Sequence, residues 1–595
     1  MTKVTVPLAG KIIELVVSNG DHVSQGQTVL VLESMKVHVK VEATASGQVS
    51  GLAIAPGDQV QRGQTVCELK VAQGGDAKVV EFQKSATAQA SAVALDAKRL
   101  HDLASDENRA EAVAKRHAKG YLSARENLAL YCSADQFREF GRLAVAAQSS
   151  RYSQEELRQS TAADAVITGL GWVHPDGTEQ AIQTSFVIND YSVLAGTQGF
   201  YHHAKIDRML EVAEQQQTPV VMYTEGGGGR PGDTDVIHIN SGLTCSTFSN
   251  WARLRGVVPR ICVANGYNFA GNAALFGAAD VTIGTANSWV GMAGPAMIAG
   301  GGLGEFKPTD IGPSAVQAKN GVLDIVADDE KHAASLVRCT LGHLCGLEVA
   351  PQQHSADQLD SFMPANRKLT YSIRDLLTLL CDADSLLELR QHYGGAVATF
   401  FARIGGQSLA ILASDCAVNG GAVDVAAGRK AANFMRLCTT WEIPLAILSD
   451  TPGFMVGPEH EELGAVRELA DLFDAGAKLN VPTIGIVLRK CYGLGGQALL
   501  GGSTKIPDAV VAWPTGEFGA MGLEGAVQLG FKKELAACPD EASRETLFAK
   551  LVGEQYRRGA ATQVATVLEI DAVIKPSETR QWLSDILFDQ TLTTG

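Results

Sequence analysis

Residues 10–33 read GKIIELVVSNGDHVSQGQTVLVLE, and residues 47–70 read GQVSGLAIAPGDQVQRGQTVCELK. The two stretches are copies of one another, because glycines, a Gly-Asp pair and a Gly-Gln-Thr-Val run recur at equal spacing. Between these turns, apolar and polar residues alternate, which is the pattern of short strands with one buried face. Two such halves that pair about a pseudo-twofold axis predict a small, flattened, all-β barrel.

A lysine occupies the segment that joins the two copies. This segment is Glu33-Ser34-Met35-Lys36-Val37, and the repeat predicts that it forms an exposed tight turn at the tip of a hairpin. It resembles the attachment site of the biotinyl domain of biotin-dependent carboxylases, in which methionine precedes the modified lysine. The related lipoyl domain usually has aspartate there. The resemblance therefore implies covalent biotin on Lys36, a role for Met35 in the same site, and a biotin protein ligase as a partner. Val37 stands where the family has a second methionine.

Composition excludes several other classes of protein. The 595 residues include 65 acidic and 50 basic side chains, a net charge of −15, which argues against nucleic acid as a partner. The uncharged run 281–304 is too rich in glycine for a lipid-exposed helix, so we expect buried turn and strand there and no membrane contact. The eleven cysteines contain no CxxC pair, which gives no sign of a metal site and favours a cytoplasmic location.

The rest of the chain predicts three further segments. Residues 71–91 are rich in Ala, Gly, Gln and Ser and are expected to be a flexible linker after the carrier domain of residues 1–70. From residue 92 onward, short β-branched runs alternate with amphipathic stretches, which predicts α/β structure. Two successive sets of such runs occur along the chain, so we expect an N-lobe over residues 92–350 and a C-lobe over 351–595, the latter with a helical C-terminus.

Three ordered motifs in the C-lobe carry a second resemblance. They are GRKAANF at 428–434, SDTPGF at 449–454 and RKCYG at 489–493. This set resembles the carboxyltransferase (β) subunits of acyl-CoA carboxylases, which are built from two crotonase-like (ClpP/crotonase) domains. The resemblance implies a carrier-plus-carboxyltransferase subunit that moves CO2 from carboxybiotin to the α-carbon, or the vinylogous carbon, of an acyl-CoA. It also implies a hexamer, with sites between the N-lobe of one protomer and the C-lobe of another.

This chemistry must stabilise two negative charges, one on the biotin ureido oxygen and one on the enolate oxygen of the thioester. Backbone amides at glycine-rich turns can do so without a change of protonation. The resemblance assigns the amides of Gly271 and Asn272 to the thioester oxygen. It assigns those of Gly493 and Leu494 to the biotin carbonyl, with Tyr492 beside the cofactor. In this family biotin's own nitrogen takes the departing proton, so no side-chain base is expected.

Two further residues are candidate substrate contacts. Arg230 ends a glycine-rich run that resembles the lining of the family's acyl-CoA site, and Gln497 falls where the family varies with substrate. Acetyl-, propionyl-, branched enoyl- and long-chain acyl-CoA all remain open.

The sequence also leaves alternatives to a carboxylase subunit. No segment is expected to house an ATP-grasp domain, so we expect a biotin carboxylase subunit to act in trans. A biotin-dependent acyl-CoA decarboxylase or transcarboxylase would run the same half-reaction in reverse. A reading of another class is a non-catalytic carrier or scaffold with a lipoyl-type domain.

Overall fold

The computed structural model describes residues 1–71, 92–236, 242–351 and 356–588, in two units, Met1–Ser91 and Ala92–Gly595. Nearly all of the linker predicted for 71–91 therefore lies outside the described residues. The strands of the first unit are β1 (Thr2–Thr5), β2 (Gly10–Leu15), β3 (His22–Val23), β4 (Thr28–Ser34), β5 (Val37–Glu42), β6 (Gly47–Ser50), β7 (Gln59–Val60) and β8 (Thr65–Lys70).

These eight strands form two four-stranded antiparallel sheets, in the orders β1-β8-β6-β3 and β5-β4-β2-β7. Exchanging β1 to β4 with β5 to β8 turns one order into the other, so the sequence repeat is also the structural repeat. Alternate apolar side chains from both sheets fill the core between them, and Val4, Ile12 and Leu32 are fully buried. The predicted small all-β unit made of two like halves is confirmed.

The hairpin between the halves is the turn that carries the lysine. Ser34 at the end of β4 pairs with Val37 at the start of β5, which leaves Met35 and Lys36 as a two-residue loop. Both loop residues have a left-handed backbone, with φ of 49° and 67°, as in the tight turns that match the twist of antiparallel strands. Met35 is 95 % exposed, and Lys36 is exposed as well. The predicted position of Lys36 at a hairpin tip is confirmed.

The N-lobe is built around a seven-stranded sheet with the order β17-β15-β13-β12-β11-β10-β9. Its strands are antiparallel from β9 to β11 and parallel from β11 to β17. The elements of this lobe are α1 (Ala92–Asp102), α2 (Ala110–His117), α3 (Ala124–Ala129), β9 (Arg138–Phe140), α4 (Gln154–Ser160), β10 (Val166–Val173), β11 (Ile182–Asn189), α5 (Phe200–Gln216), β12 (Val220–Tyr223), α6 (Thr247–Arg253), β13 (Arg260–Ala264), β14 (Tyr267–Phe269), α7 (Gly271–Gly277), β15 (Val281–Thr285), β16 (Trp289–Gly291), α8 (Pro295–Gly300), α9 (Ser314–Lys319), β17 (Ile325–Ala327) and α10 (Glu330–Leu344).

The C-lobe repeats this arrangement, with the sheet order β18-β19-β20-β21-β22-β23-β25 and β24 paired to the end of β22. The antiparallel pair β19–β20 corresponds to β10–β11, and α15 follows β22 as α7 follows β14. Its elements are α11 (Ile373–Leu380), β18 (Leu387–Leu389), β19 (Val397–Ile404), β20 (Gln407–Ser414), α12 (Val425–Thr440), β21 (Leu445–Thr451), α13 (Pro458–Glu461), α14 (Ala465–Gly476), β22 (Thr483–Tyr492), α15 (Gly493–Leu499), β23 (Ala509–Ala512), β24 (Glu517–Gly519), α16 (Leu523–Gly530), α17 (Lys532–Ala536), α18 (Glu541–Arg558), α19 (Ala561–Thr566), β25 (Ala572–Val573) and α20 (Thr579–Leu587).

One apolar core runs through both lobes. Val337 and Leu341 on α10 of the N-lobe belong to the same buried cluster as Phe401 on β19 of the C-lobe. The boundary at residue 350 therefore separates two sheets rather than two independent cores, and the lobe limits stay a prediction.

The uncharged run 281–304 differs in part from expectation. Strand β15 is wholly buried as predicted, but Met292, Met297 and Leu303 are 74 %, 68 % and 76 % exposed, and a short helix replaces the expected turn and strand. The apolar composition of a segment does not show whether the segment is buried in the folded chain or lies exposed at its surface. Within the described ranges, no helix has the length and apolarity needed to cross a membrane.

A buried histidine lies where the two lobes pack together. His343 on α10 is buried, its Nδ1 lies 2.6 Å from the Ser408 hydroxyl, and its ring stacks on Phe401 at 5.4 Å. Burial, helped by the nearby Arg403, lowers the pKa of His343 to about 3.

We predict that this histidine destabilises the fold as the pH falls. Because its folded pKa lies below its unfolded value of 6.5, the unfolded chain takes up the proton first between those two values. The free energy of unfolding should therefore fall by about 1.4 kcal/mol per pH unit below pH 6 from this group alone. Thermal melts at pH 7.5 and 5.5 should show a smaller loss for His343→Gln than for the wild type, while His392→Gln, at an exposed site, should behave like the wild type. Equal losses in all three proteins would contradict the assignment.

Candidate active site

The N-lobe turn between β14 and α7 presents two backbone amides at the start of a helix. Ala270 precedes the helix with a strained backbone (φ 53°, ψ −120°), and its own N–H donates to the Gly291 carbonyl at 3.0 Å. Gly271 and Asn272 are the first two residues of α7. Amides at these positions have no carbonyl partner inside the helix, so this turn can donate to a ligand oxygen.

The side chain of Asn272 is committed to the neighbouring glycine-rich loop, residues 225–230. Its Oδ1 accepts a hydrogen bond from the Gly228 amide at 3.0 Å, and the residue is fully buried. A Cβ atom on Gly226 would lie 2.2 Å from the Asn272 Nδ2 atom. Glycine at 226 therefore leaves space for the Asn272 side chain. Because that side chain is bonded to the loop, only the backbone amide of Asn272 is available at the start of the helix.

Arg230 is held by protein groups. Its side chain is 4 % exposed, and its guanidinium donates to Asp164 Oδ1 at 2.5 Å and to the Thr197 carbonyl at 2.7 Å. In this arrangement Arg230 fastens the glycine-rich loop to the residues before α5. A direct contact with substrate would require Arg230 to leave these partners, so that role stays a prediction which the geometry does not favour.

The C-lobe turn between β22 and α15 has the same design. Gly493 and Leu494 are the first two residues of α15, and Tyr492 precedes the helix. Gly493 has a φ of 57°, and Leu494 is 62 % exposed. The Tyr492 hydroxyl donates to Glu517 Oε2 at 2.8 Å; burial and this carboxylate raise the pKa of Tyr492, so its phenol stays protonated. Tyr492 thus fixes the turn against β24.

A cavity of 860 Å3 opens beside α15. Among its lining residues are Gly493, Leu494 and Gln497, so the structure brings these three predicted residues together on one surface. All lining residues fall between Cys491 and Glu569. The C-lobe therefore forms this surface without any residue of the N-lobe.

Buried ion pairs anchor both turns, and sequence reasoning missed them. Glu225 follows β12 and pairs with Arg116 at 2.8 Å; Asp450 is the last residue but one of β21 and pairs with Arg489 at 2.8 Å. The two acids occupy equivalent places, five residues after the first residues of β12 and β21. A carboxylate at the end of an apolar strand was visible in the sequence, but its arginine partner in each case lies far away or on a neighbouring strand.

A second cavity, of 500 Å3, lies in the N-lobe and was also missed. Four cations on or near α2 line it together with three tyrosines and Glu225; they are Arg109, Lys115, Arg116, Lys119, Tyr121, Tyr191 and Tyr267. Burial and the nearby Glu225 raise the pKa of Tyr121 to about 12, so its phenol is protonated. Cations and aromatic rings around one cavity suit a ligand that carries phosphate and a flat ring system.

Comparison with known proteins shows two matches to families. Residues 115–587 match the carboxyl transferase domain family, and residues 2–69 match a family described as biotin-requiring enzymes. The biotin-dependent acetyl-/propionyl-coenzyme A carboxylase beta5 subunit of Mycobacterium tuberculosis is 30 % identical over 497 residues, which cover 80 % of this chain and 88 % of that protein.

Two solved structures resemble the chain. A single-chain, multi-domain long-chain acyl-CoA carboxylase is 39 % identical with a TM-score of 0.79; the match covers 98 % of this chain and 57 % of that one. The transcarboxylase 12S structure, a hexamer with methylmalonyl-CoA bound, is 27 % identical with a TM-score of 0.74 and coverages of 83 % and 93 %. The chain thus spans little more than half the length of the single-chain carboxylase.

Proposed function

From the premise that this chain belongs to the carboxyl transferase domain family and carries a biotin-requiring domain, we propose that it transfers a carboxyl group from biotin on Lys36 to an acyl-CoA. The chain is a biotin-dependent carboxyltransferase with its carrier fused to its N-terminus. The acceptor is the α-carbon, or the vinylogous carbon, of the acyl group. The observation that carries the proposal is the occurrence, in one chain, of an exposed lysine hairpin and two lobes that each start a helix on a glycine-rich turn.

The Lys36 hairpin fits covalent attachment of biotin. The lysine stands at an exposed two-residue turn, beside the 95 % exposed Met35, so both side chains are accessible to a modifying ligase. When attached, biotin supplies a carrier for an activated carboxyl group and a ring nitrogen that can accept a proton. The chain's contribution here is to hold the attachment point on a rigid hairpin.

In the N-lobe, we assign the amides of Gly271 and Asn272 to the thioester oxygen. Loss of the α-proton shifts negative charge onto this oxygen, and two fixed N–H donors stabilise that charge as it forms. Removing one such donor typically raises the barrier by about 3 kcal/mol. The Asn272 side chain supports the assignment because its bond to Gly228 keeps it off the donating face.

In the C-lobe, the amides of Gly493 and Leu494 are assigned to the biotin carbonyl. These residues border the 860 Å3 cavity, as does Gln497, which we assign to the acyl or biotin environment. The Tyr492–Glu517 hydrogen bond positions the turn, so Tyr492 acts through the backbone it holds rather than through its phenol.

The tyrosine-lined cavity of the N-lobe supports a coenzyme A thioester as substrate. The exposed Lys115 and Lys119 border it and suit the phosphates of the coenzyme, whereas the Arg109 guanidinium is already paired with Asp190. Tyr267, which also lines the cavity, lies only four residues before Gly271, so the cavity adjoins the turn assigned to the thioester.

We further propose that the two lobes are crotonase-like and that the chain assembles as a hexamer, as described for transcarboxylase 12S. The exposed Met292 and Met297 support an interface. Helix α8 is exposed, whereas its C-lobe counterpart α16 packs against α18. A second copy whose C-lobe covers this N-lobe surface would bring the two kinds of turn together.

Loading of the carrier is assigned to a biotin carboxylase subunit in trans, and attachment of biotin to a biotin protein ligase, in the cytoplasm. A transcarboxylase role is the second candidate, because transcarboxylase 12S shares the fold over 83 % of this chain. The two candidates differ only in what loads the carrier.

A reconstitution tests the function. The biotinylated chain, a biotin carboxylase subunit, ATP and bicarbonate are incubated in turn with acetyl-, propionyl-, branched enoyl- and long-chain acyl-CoA, and products are identified by mass spectrometry. We expect one class of acyl-CoA to gain a carboxyl group only when both the partner and ATP are present. Loading of the chain by a carboxylated CoA thioester without ATP, together with no ATP-dependent product, would instead establish the transcarboxylase.

A further inference from the structure

Gln198 is a buried amide with an unused donor. The residue is 4 % exposed, and its Nε2 atom has no hydrogen-bond partner among the residues that the structure describes. Leaving a buried N–H unpaired is unfavourable, and most buried polar groups in native proteins are therefore paired. An orphaned donor of this kind is free to bond a ligand.

The backbone of Gln198 is fixed by the glycine-rich loop. Its N–H donates to the Gly228 carbonyl at 2.8 Å, and its carbonyl accepts from the Arg230 amide at 2.9 Å. These two bonds form an isolated parallel bridge beside the loop. The side chain therefore starts from a rigid position, and little conformational freedom is lost when its amide meets a ligand.

The side chain reaches the first residue of α7. A Cβ atom built on Gly271 would lie 2.1 Å from Gln198 Oε1 and 3.2 Å from its Cδ, so the terminal amide occupies, oxygen foremost, the space that a side chain at 271 would need, and Nε2 is bonded to the same Cδ. The ring of Phe248 approaches the same point, at 3.1 Å. Because Gln198 is itself almost fully buried, water has little access to its amide, which strengthens any hydrogen bond that the amide makes.

We propose that the Nε2 group of Gln198 is a third donor to the thioester oxygen, beside the backbone amides of Gly271 and Asn272. The inference rests on the proposed function, which places the thioester at this turn. As the α-carbon loses its proton and before it bonds the transferred carboxyl carbon, the electron pair resides largely on the thioester oxygen. Gln198 stabilises that charge through a hydrogen bond and itself undergoes no covalent change.

Gln198→Leu tests this role, because it removes the amide donor and leaves a side chain, one atom shorter, that still fills most of the site. We expect kcat for acyl-CoA carboxylation to fall about 100-fold. Binding of the acyl-CoA substrate should weaken by up to about 10-fold, whereas binding of a thioether analogue that lacks the carbonyl oxygen should not change. A merely structural role would weaken the binding of both ligands alike.

Gln215→Leu, at an exposed position on α5, is the matched control and should retain wild-type kinetics. If Gln198→Leu does not fold, Gln198→Glu keeps the shape and should still lose activity at neutral pH, because a carboxylate repels the developing charge. A kcat within three-fold of wild type, or an equal loss of affinity for thioester and thioether, would overturn the inference. If the wild type itself carboxylates no acyl-CoA, the proposed function fails, and this inference with it. If the wild type is active and the Gln198 variants are equally active, this inference fails but the proposed function stands.

Discussion

Lys36→Arg should abolish biotin attachment and lower acyl-CoA carboxylation by at least about 1,000-fold, because a tethered carrier works at a local concentration that free biotin does not reach. The guanidinium keeps the positive charge of the exposed hairpin but cannot form the amide bond to biotin. Intact mass of the chain, expressed with biotin and its ligase, measures the attachment; turnover with the partner subunit measures the consequence.

Lys40→Arg is the control for this prediction. Lys40 is exposed on β5, in the same hairpin but within a regular strand pair. This variant should be biotinylated and active like the wild type. Biotin found on the Lys36→Arg protein, or full activity without it, would mean that the carrier lysine is elsewhere.

Gly271→Ala should reduce kcat about 100-fold or more without unfolding the protein. The added methyl group would collide with the end of the Gln198 side chain, 2.1 Å from the built Cβ, rather than with backbone. Gln198 can move aside, so the fold survives. The displaced amide and the new methyl group then disturb the surface on which the thioester oxygen is held.

Gly277→Ala provides a matched control at the other end of the same helix. A Cβ atom there has no neighbour within 4 Å, and alanine is at least as favourable in a helix as glycine. This variant should therefore be active and at least as stable as the wild type. Equal kinetics for Gly271→Ala and Gly277→Ala would show that the N-lobe turn is not part of the active site. A large drop in melting temperature for Gly271→Ala alone would show that its loss of activity is structural.

The sequence predicts the carrier unit almost completely, because that unit is made of local signals. Its repeat sets the pairing of two like sheets, and a two-residue gap between β4 and β5 leaves only Met35 and Lys36 for the turn. The glycine-rich turns of both lobes are local too, so Gly271 and Gly493 could be assigned to turns, and the structure adds that each is the first residue of a helix.

The groups that surround these turns could not be predicted in the same way. Arg230 pairs with Asp164, and Glu225 with Arg116, across separations of sixty residues or more. Such partners are brought together by the way strands and loops pack in the fold. Neither the periodicity of the sequence nor the spacing of its motifs predicts that packing. The exposed Met297 illustrates the complementary limit, because in the sequence an apolar residue at the surface of the folded chain looks the same as a core residue.

Gln198 belongs to this second class. In the sequence it is a polar residue before a glycine and a helix, with nothing to distinguish it from a solvated loop residue. Only the folded loop shows that its amide is buried, without a partner for its Nε2 among the described residues, and set against Gly271.

The central claim is that one chain both carries the carboxyl group and delivers it. The most direct measurement is a single turnover: the biotinylated chain is loaded with radiolabelled carboxyl groups, freed of ATP and of the loading partner, and mixed with acyl-CoA. We predict that the label moves to the CoA thioester in an amount equal to the carboxylated biotin present at mixing. Label that remains on the protein, or that is released only as bicarbonate, would contradict the account.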